Sequence, residues 1–182
     1  MRRMLLVPAF IAVALLGLLA FGRLLAVAQD DAAATAAHPA VGSWLLTDLA
    51  SPDDPPTLVV FHSDGTYTQV EADGAVGVGT WEATGEQSLA LTFVEQFGDE
   101  AEGVFTLTVR AAGEMDAGGD SFTATYTLEL TQPDGTSQGE FGPGTVTATR
   151  IAVEPMGTPV GPLEELFGQF DEGTPEASPP AP

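Results

Sequence analysis

The sequence predicts an all-β domain, an antiparallel up-and-down barrel of about eight strands. Three observations lead there. Between Val41 and Val153 apolar and polar residues alternate with period two, and no part of that stretch shows a helical period. Asp64-Gly65, Asp73-Gly74 and Asp134-Gly135 stand between the alternating runs, where a tight hairpin needs positive φ. Two runs open on the tripeptide Gly-x-Trp, as Gly42-Ser43-Trp44 and Gly79-Thr80-Trp81. Short strands joined by tight turns either close into a barrel or stack as a sandwich, and sequential hairpins favour the closing meander. Closure also removes exposed sheet edges, which a domain without disulfides has reason to avoid.

The elements follow in order. Residues 1–28 have the three parts of a secretory signal: Arg2 and Arg3, an apolar run from Met4 to Gly22, and the small-residue site Ala26-Val27-Ala28 before Gln29. An uncleaved membrane anchor is the other reading of this segment, with Arg23 interrupting the apolar run. Both readings place the remainder outside the cytoplasm. Residues 29–40, Ala-rich with Asp30 and Asp31, read as a linker. The barrel is expected over 41–154, with strands at about 41–48, 57–62, 66–71, 76–84, 87–96, 103–111, 121–131 and 144–153. Alternation is clearest where Phe122, Ala124, Tyr126, Leu128 and Leu130 oppose Thr123, Thr125, Thr127 and Glu129, and where Phe105, Leu107 and Val109 oppose Thr106, Thr108 and Arg110. One face is therefore buried and the other solvated. Residues 155–182 read as a flexible acidic tail that holds seven of the fourteen prolines. Within it residues 162–170 have the makings of one or two amphipathic helical turns, with Leu163, Leu166, Phe167 and Phe170 on one side, able to dock on the barrel or on a partner.

Composition narrows the function classes. The chain has 26 acidic residues against five arginines and no lysine, a formal net charge of −21. Removing residues 1–28 leaves only Arg110 and Arg150 as cations. Such a balance repels nucleic-acid phosphates, so no nucleic-acid partner is expected. Cysteine is absent, which excludes disulfides, a thiolate nucleophile and a cysteine metal site. Asparagine is absent as well, and isoleucine occurs only at Ile11 and Ile151, a bias that a GC-rich genome explains.

The run Val41-Gly42-Ser43-Trp44 resembles the first strand of the calycins, the lipocalins, fatty-acid-binding proteins and avidins. The resemblance covers about residues 41–153. It implies that Trp44 closes one barrel end beneath an arginine from the last strand, the place that Arg150 occupies in the sequence. An indole under a guanidinium is a favourable pair. The helix that follows a lipocalin barrel is not evident, and the asparagine and several tryptophans of an avidin pocket are missing, so biotin is not implied.

Catalytic equipment is sparse. His38 falls in the linker and His62 at a strand end before a turn. Gly119-Asp120-Ser121 echoes the start of one hydrolase motif but lacks its asparagine and Asp-x-x-His partners, and is read as a turn. Glu82, Glu95 and Glu129 are the strand-borne carboxylates available for acid–base work, with Glu129 on the outer face. The acidic clusters at Asp53-Asp54, 99–102 and 116–120 lack the spacing of a calcium loop, so no metal and no cofactor is expected. The interior is the remaining resource. Phe61, Tyr67, Trp81, Leu91, Phe93, Phe105, Leu107 and Tyr126 would line a ligand cavity if the barrel is open, and would be plain core if it is filled. Three readings follow: an exported, non-catalytic barrel that binds a small apolar molecule; a cell-envelope interaction module with a filled core; and a barrel-type isomerase or cyclase.

Overall fold

The alternation becomes eight antiparallel strands in a computed structural model that describes residues 33–99, 101 and 103–171. They are β1 (Gly42–Asp48), β2 (Thr57–Phe61), β3 (Thr66–Val70), β4 (Val76–Ala83), β5 (Ser88–Asp99), β6 (Gly103–Met115), β7 (Ser121–Thr131) and β8 (Ser137–Arg150). Each pairs with the next in sequence, and β8 pairs back onto β1 through Trp44↔Arg150 to Asp48↔Val146, giving a closed barrel. The up-and-down meander is thus the fold. The signal-peptide reading of 1–28 lies outside the described residues.

The three Asp-Gly turns work alike. Gly65, Gly74 and Gly135 have φ of 83°, 94° and 85°. Each aspartate accepts from the backbone N–H two residues on, Asp64 from Thr66, Asp73 from Ala75 and Asp134 from Thr136, all at 2.9 Å. The Thr66 hydroxyl, which also donates to Asp64 at 2.6 Å, and then the Thr66 N–H hold the Asp64 carboxyl below the usual range, and the Thr136 N–H does so for Asp134.

Three element boundaries differ from the sequence reading. β8 starts at Ser137 rather than near residue 144, and β5 and β6 run to Asp99 and Met115. The long hairpins β5–β6 and β7–β8 overhang the barrel, and the β7–β8 ladder absorbs register shifts between Tyr126 and Leu128 and between Glu129 and Thr131. The linker reading of 29–40 is also corrected over its described part. Residues 33–37 form a helical turn, and Thr35, His38 and Ala40 are buried. The turn is tied to β4 by the Ala83 N–H, which donates to Thr35 Oγ1 at 3.3 Å.

The densest core lies at the end where β1 begins and β8 finishes, called the floor below. Trp44, Phe61, Leu89 and Val59 are its largest fully buried side chains. Aromatic edges run from the floor upward: His38 on Trp81 at 5.7 Å, Trp81 on Phe61 at 5.4 Å, Phe61 on Tyr67 at 5.1 Å, and Tyr67 on Phe93 at 5.2 Å. Such offset and edge contacts are the arrangement favoured by aromatic quadrupoles. Residues 152–171 form a separate unit, in which a helix spans Leu163–Asp171 after an irregular stretch, within the region read as a flexible tail.

Candidate functional site

The floor is sealed by residues that the resemblance singled out. The Arg150 guanidinium lies 4.1 Å above the Trp44 ring. Its Nε donates to the Gly119 carbonyl at 2.9 Å and its Nη1 to the Val41 carbonyl at 3.1 Å, and Nη2 donates to the Pro39 carbonyl. Trp44 Nε1 donates to the Ala40 carbonyl at 2.9 Å. Gly42 is required here twice over. Its φ is 138°, and a Cβ would sit 2.7 Å from Arg150 Nη1. Arg150 is therefore a structural clamp that joins the N-terminal plug, the β6–β7 turn and β8.

His38 completes the seal. Its Nδ1 accepts from the Ala40 N–H at 3.1 Å, which places the ring proton on Nε2, and Nε2 is buried without a hydrogen-bond partner. Burial lowers its pKa, outweighing the Gly85 and Ser88 carbonyls that favour the cation. Burial thus favours the neutral ring, whose edge contact is with Trp81.

Above the floor the barrel is hollow. A cavity of about 360 Å³ reaches toward the opposite end, the mouth, and this volume falls within the range of small-molecule sites. Of the eight residues expected to line it, Phe61, Tyr67, Leu91, Phe93, Leu107 and Tyr126 do so. Trp81 does not: it sits lower, against His38 and Phe61, and its Nε1 donates to the His62 carbonyl at 2.9 Å. Phe105 does not either. It lies beyond the mouth, stacked at 5.6 Å on its cross-strand partner Phe97 in the overhanging hairpin.

The cavity has two kinds of wall. Phe61, Leu91, Phe93, Val109, Phe122 and Ala124 make the apolar depth. Asp48, Asp54, Glu71 and Glu95 supply every formal charge on the lining, all of one sign. A hydrogen-bonded chain climbs the β3 side. Tyr67 OH donates to Gln69 Oε1 at 2.9 Å, and Gln69 Nε2 donates to Glu71 Oε1 at 2.6 Å. Thr57 Oγ1 donates to the other oxygen, Glu71 Oε2, at 2.6 Å. Across the mouth Tyr126 OH donates to Asp48 Oδ2. Burial first, and then the hydrogen bond to Asp48, push the Tyr126 hydroxyl up to about 12. The carboxyl of Glu95 is also pushed up, by burial first and then by the neighbouring charges of Glu71 and Asp73.

Two glycines let neighbouring groups pack close along this wall. β4 presents Gly77 and Gly79 inward, between β3 and β5. A Cβ on Gly77 would lie 2.9 Å from the Phe93 ring, and one on Gly79 would lie 2.1 Å from the Thr92 carbonyl oxygen. Their bare backbone lets Tyr67 and Phe93 meet across the strand. On the far side the Tyr126 ring lies over its cross-strand partner Gly144, whose Cβ would meet the ring at 2.3 Å.

Of the three strand carboxylates read as acid–base candidates, only Glu95 faces the cavity. Glu82 is exposed, and Glu129 pairs on the outside with Arg110 at 3.1 Å. Comparison with protein-family models, with curated proteins and with solved structures finds no match for this chain.

Proposed function

We propose that this chain is an exported barrel that binds a small, mainly apolar molecule in its interior without transforming it. The single observation that carries the reading is the 360 Å³ cavity, apolar at depth and opening at one end of a barrel whose other end is sealed. Export rests on the signal-like residues 1–28. Kinship with the calycins belongs to the same proposal and is supported by the eight-strand meander and the Trp44–Arg150 pair.

The test is narrowing the mouth. Leu107 is half-buried opposite Glu95, so a larger side chain there reaches across the opening. Leu107→Trp is expected to weaken binding of a fluorescent naphthalene dye at least ~10-fold while the unfolding midpoint stays within a few degrees. Undiminished dye binding in a folded variant would sink the cavity reading. A second reading, an interaction module, is favoured by one observation. Leu45, Leu58, Val70 and Val76 are register neighbours across β1–β4, and all four are exposed on the outer face.

A further inference from the structure

The cavity has walls of one charge sign, and no described residue on its lining balances them. Among the described residues the only guanidinium groups are those of Arg110 and Arg150, and lysine is absent from the chain. Both arginines are committed elsewhere. Arg150 is clamped at the floor, and Arg110 lies outside between Glu129 and Glu140 at 3.1 and 3.7 Å. Neither lines the cavity.

The polar network is oriented toward receiving a cation. The two carboxyl oxygens of Glu71 accept from Gln69 and from Thr57, which turns the carboxyl group toward the cavity rim as an acceptor. Gln69 is itself buried, and its amide is fixed by the Tyr67 hydroxyl on the other side. Gln69 and Glu95 flank Gly77 in the register, which brings Glu95 to the same side of the mouth. A positive charge placed there relieves the repulsion between Glu71 and Glu95. Below this polar rim the surface is aromatic and aliphatic, with Phe61, Phe93 and Phe122 leading to the sealed floor.

We propose that the ligand is an organic amine with an apolar body, its ammonium group held by Glu71 and Glu95 and its body against Phe61, Phe93 and Phe122. This deepens the cavity-binding reading and rests on it. The site is the cavity, and the carboxylates set which class of molecule it prefers.

The experiment uses the folded chain and a matched series with one apolar body: 2-(1-naphthyl)ethylamine, 2-(1-naphthyl)ethanol and 1-naphthylacetate, with ethylamine as the charge without the body. Affinities are measured by titration calorimetry at moderate salt. The aromatic amine is expected to bind ~10-fold or more tighter than the alcohol, with no measurable binding of the acid or of ethylamine. Glu71→Gln with Glu95→Gln is expected to abolish the preference for the amine, read as the ratio of amine to alcohol affinity in the same variant; a preference that survives in it overturns the assignment of the ammonium to these carboxylates. Equal binding of amine and alcohol by the natural chain overturns the amine assignment and leaves the cavity reading intact. Ethylamine binding as well as the aromatic amine overturns it too, since the general negative field would then account for the attraction. If no member of the series binds, the cavity reading falls and the amine assignment falls with it.

Discussion

Arg150 does at one position what a disulfide-free domain needs several contacts to do. It stacks on an indole and satisfies three backbone carbonyls, on Gly119, Val41 and Pro39. Arg150→Ala strands those carbonyls and is expected to cost about 2–4 kcal/mol in urea unfolding. Arg150→Lys should recover less than half of that, because an ammonium lacks the planar fork. Full recovery by lysine would show that charge alone matters. Two titrations act with opposite sign. The pKa of His38 is lowered from 6.5, so as pH falls below that value the unfolded ring takes up a proton that the folded ring refuses, and stability drops. The carboxyl of Glu95 is raised from 4.5, so the folded chain holds this proton more tightly, and stability drops as pH rises from there into the raised range. Glu95→Gln should therefore melt higher than the natural chain at pH 7 and converge with it below about pH 4. His38→Gln should flatten the acid-side fall. Melting curves across pH separate the two, and a Glu95→Gln advantage that grows on acidification would contradict this assignment.

At the scale of the element, period two told which face a residue occupies but not how high along the barrel it stands. Trp81 and Phe105 are both on inner rows, as the alternation requires, yet one is packed at the floor and the other passes the rim. Height is fixed by register between strands, and register depends on pairings that no single run of sequence displays. The same limit explains why Gln69, Glu71 and Asp48 were not read as lining. Gln69 and Glu71 follow Tyr67 at two-residue steps, so the signal was present, but a polar residue on an inner row contradicts the usual apolar expectation. The plug at 33–40 was missed because its Ala-rich composition looks like a linker and its partners, Trp81 and Ala83, lie far along the chain. Phe122 and Ala124 were legible as inward but not as lining. The two Gly-x-Trp runs look alike and solve different problems: Gly42 makes room for a guanidinium, and Gly79 for the backbone of the neighbouring strand. Gly79→Ala should consequently be the more damaging of the β4 glycine changes, costing about 1–3 kcal/mol by urea unfolding. Gly77→Ala presses on side chains that can shift, so its main effect should be a smaller cavity and weaker dye binding. An innocuous Gly79→Ala would contradict the close approach of β4 to β5.

At the scale of the whole chain, a formal net charge of −21 on 182 residues sets self-repulsion against a core with no covalent staple. The surface ion pairs of Arg110 do little to offset it, since exposed pairs are worth at most ~1 kcal/mol. Added sodium chloride is expected to raise the unfolding midpoint steadily up to about 0.5 M, as the Debye length shrinks below the spacing of surface charges. A flat response would show that the acidic residues are too far apart in the folded state to matter. The same screening should weaken binding of an amine more than that of its alcohol, which links the stability and affinity measurements in one salt series.

The closed barrel also has a polarity of access. β1 begins and β8 finishes at the floor, where Ile151 N–H still bonds Ser43 O and the 33–37 turn packs against β4. Among the described residues the chain thus enters β1 and leaves β8 on the sealed side. An attachment made close to Gly42 or to Arg150 therefore lies at the end away from the opening. Immobilised and free protein should accordingly take up ligand at the same rate.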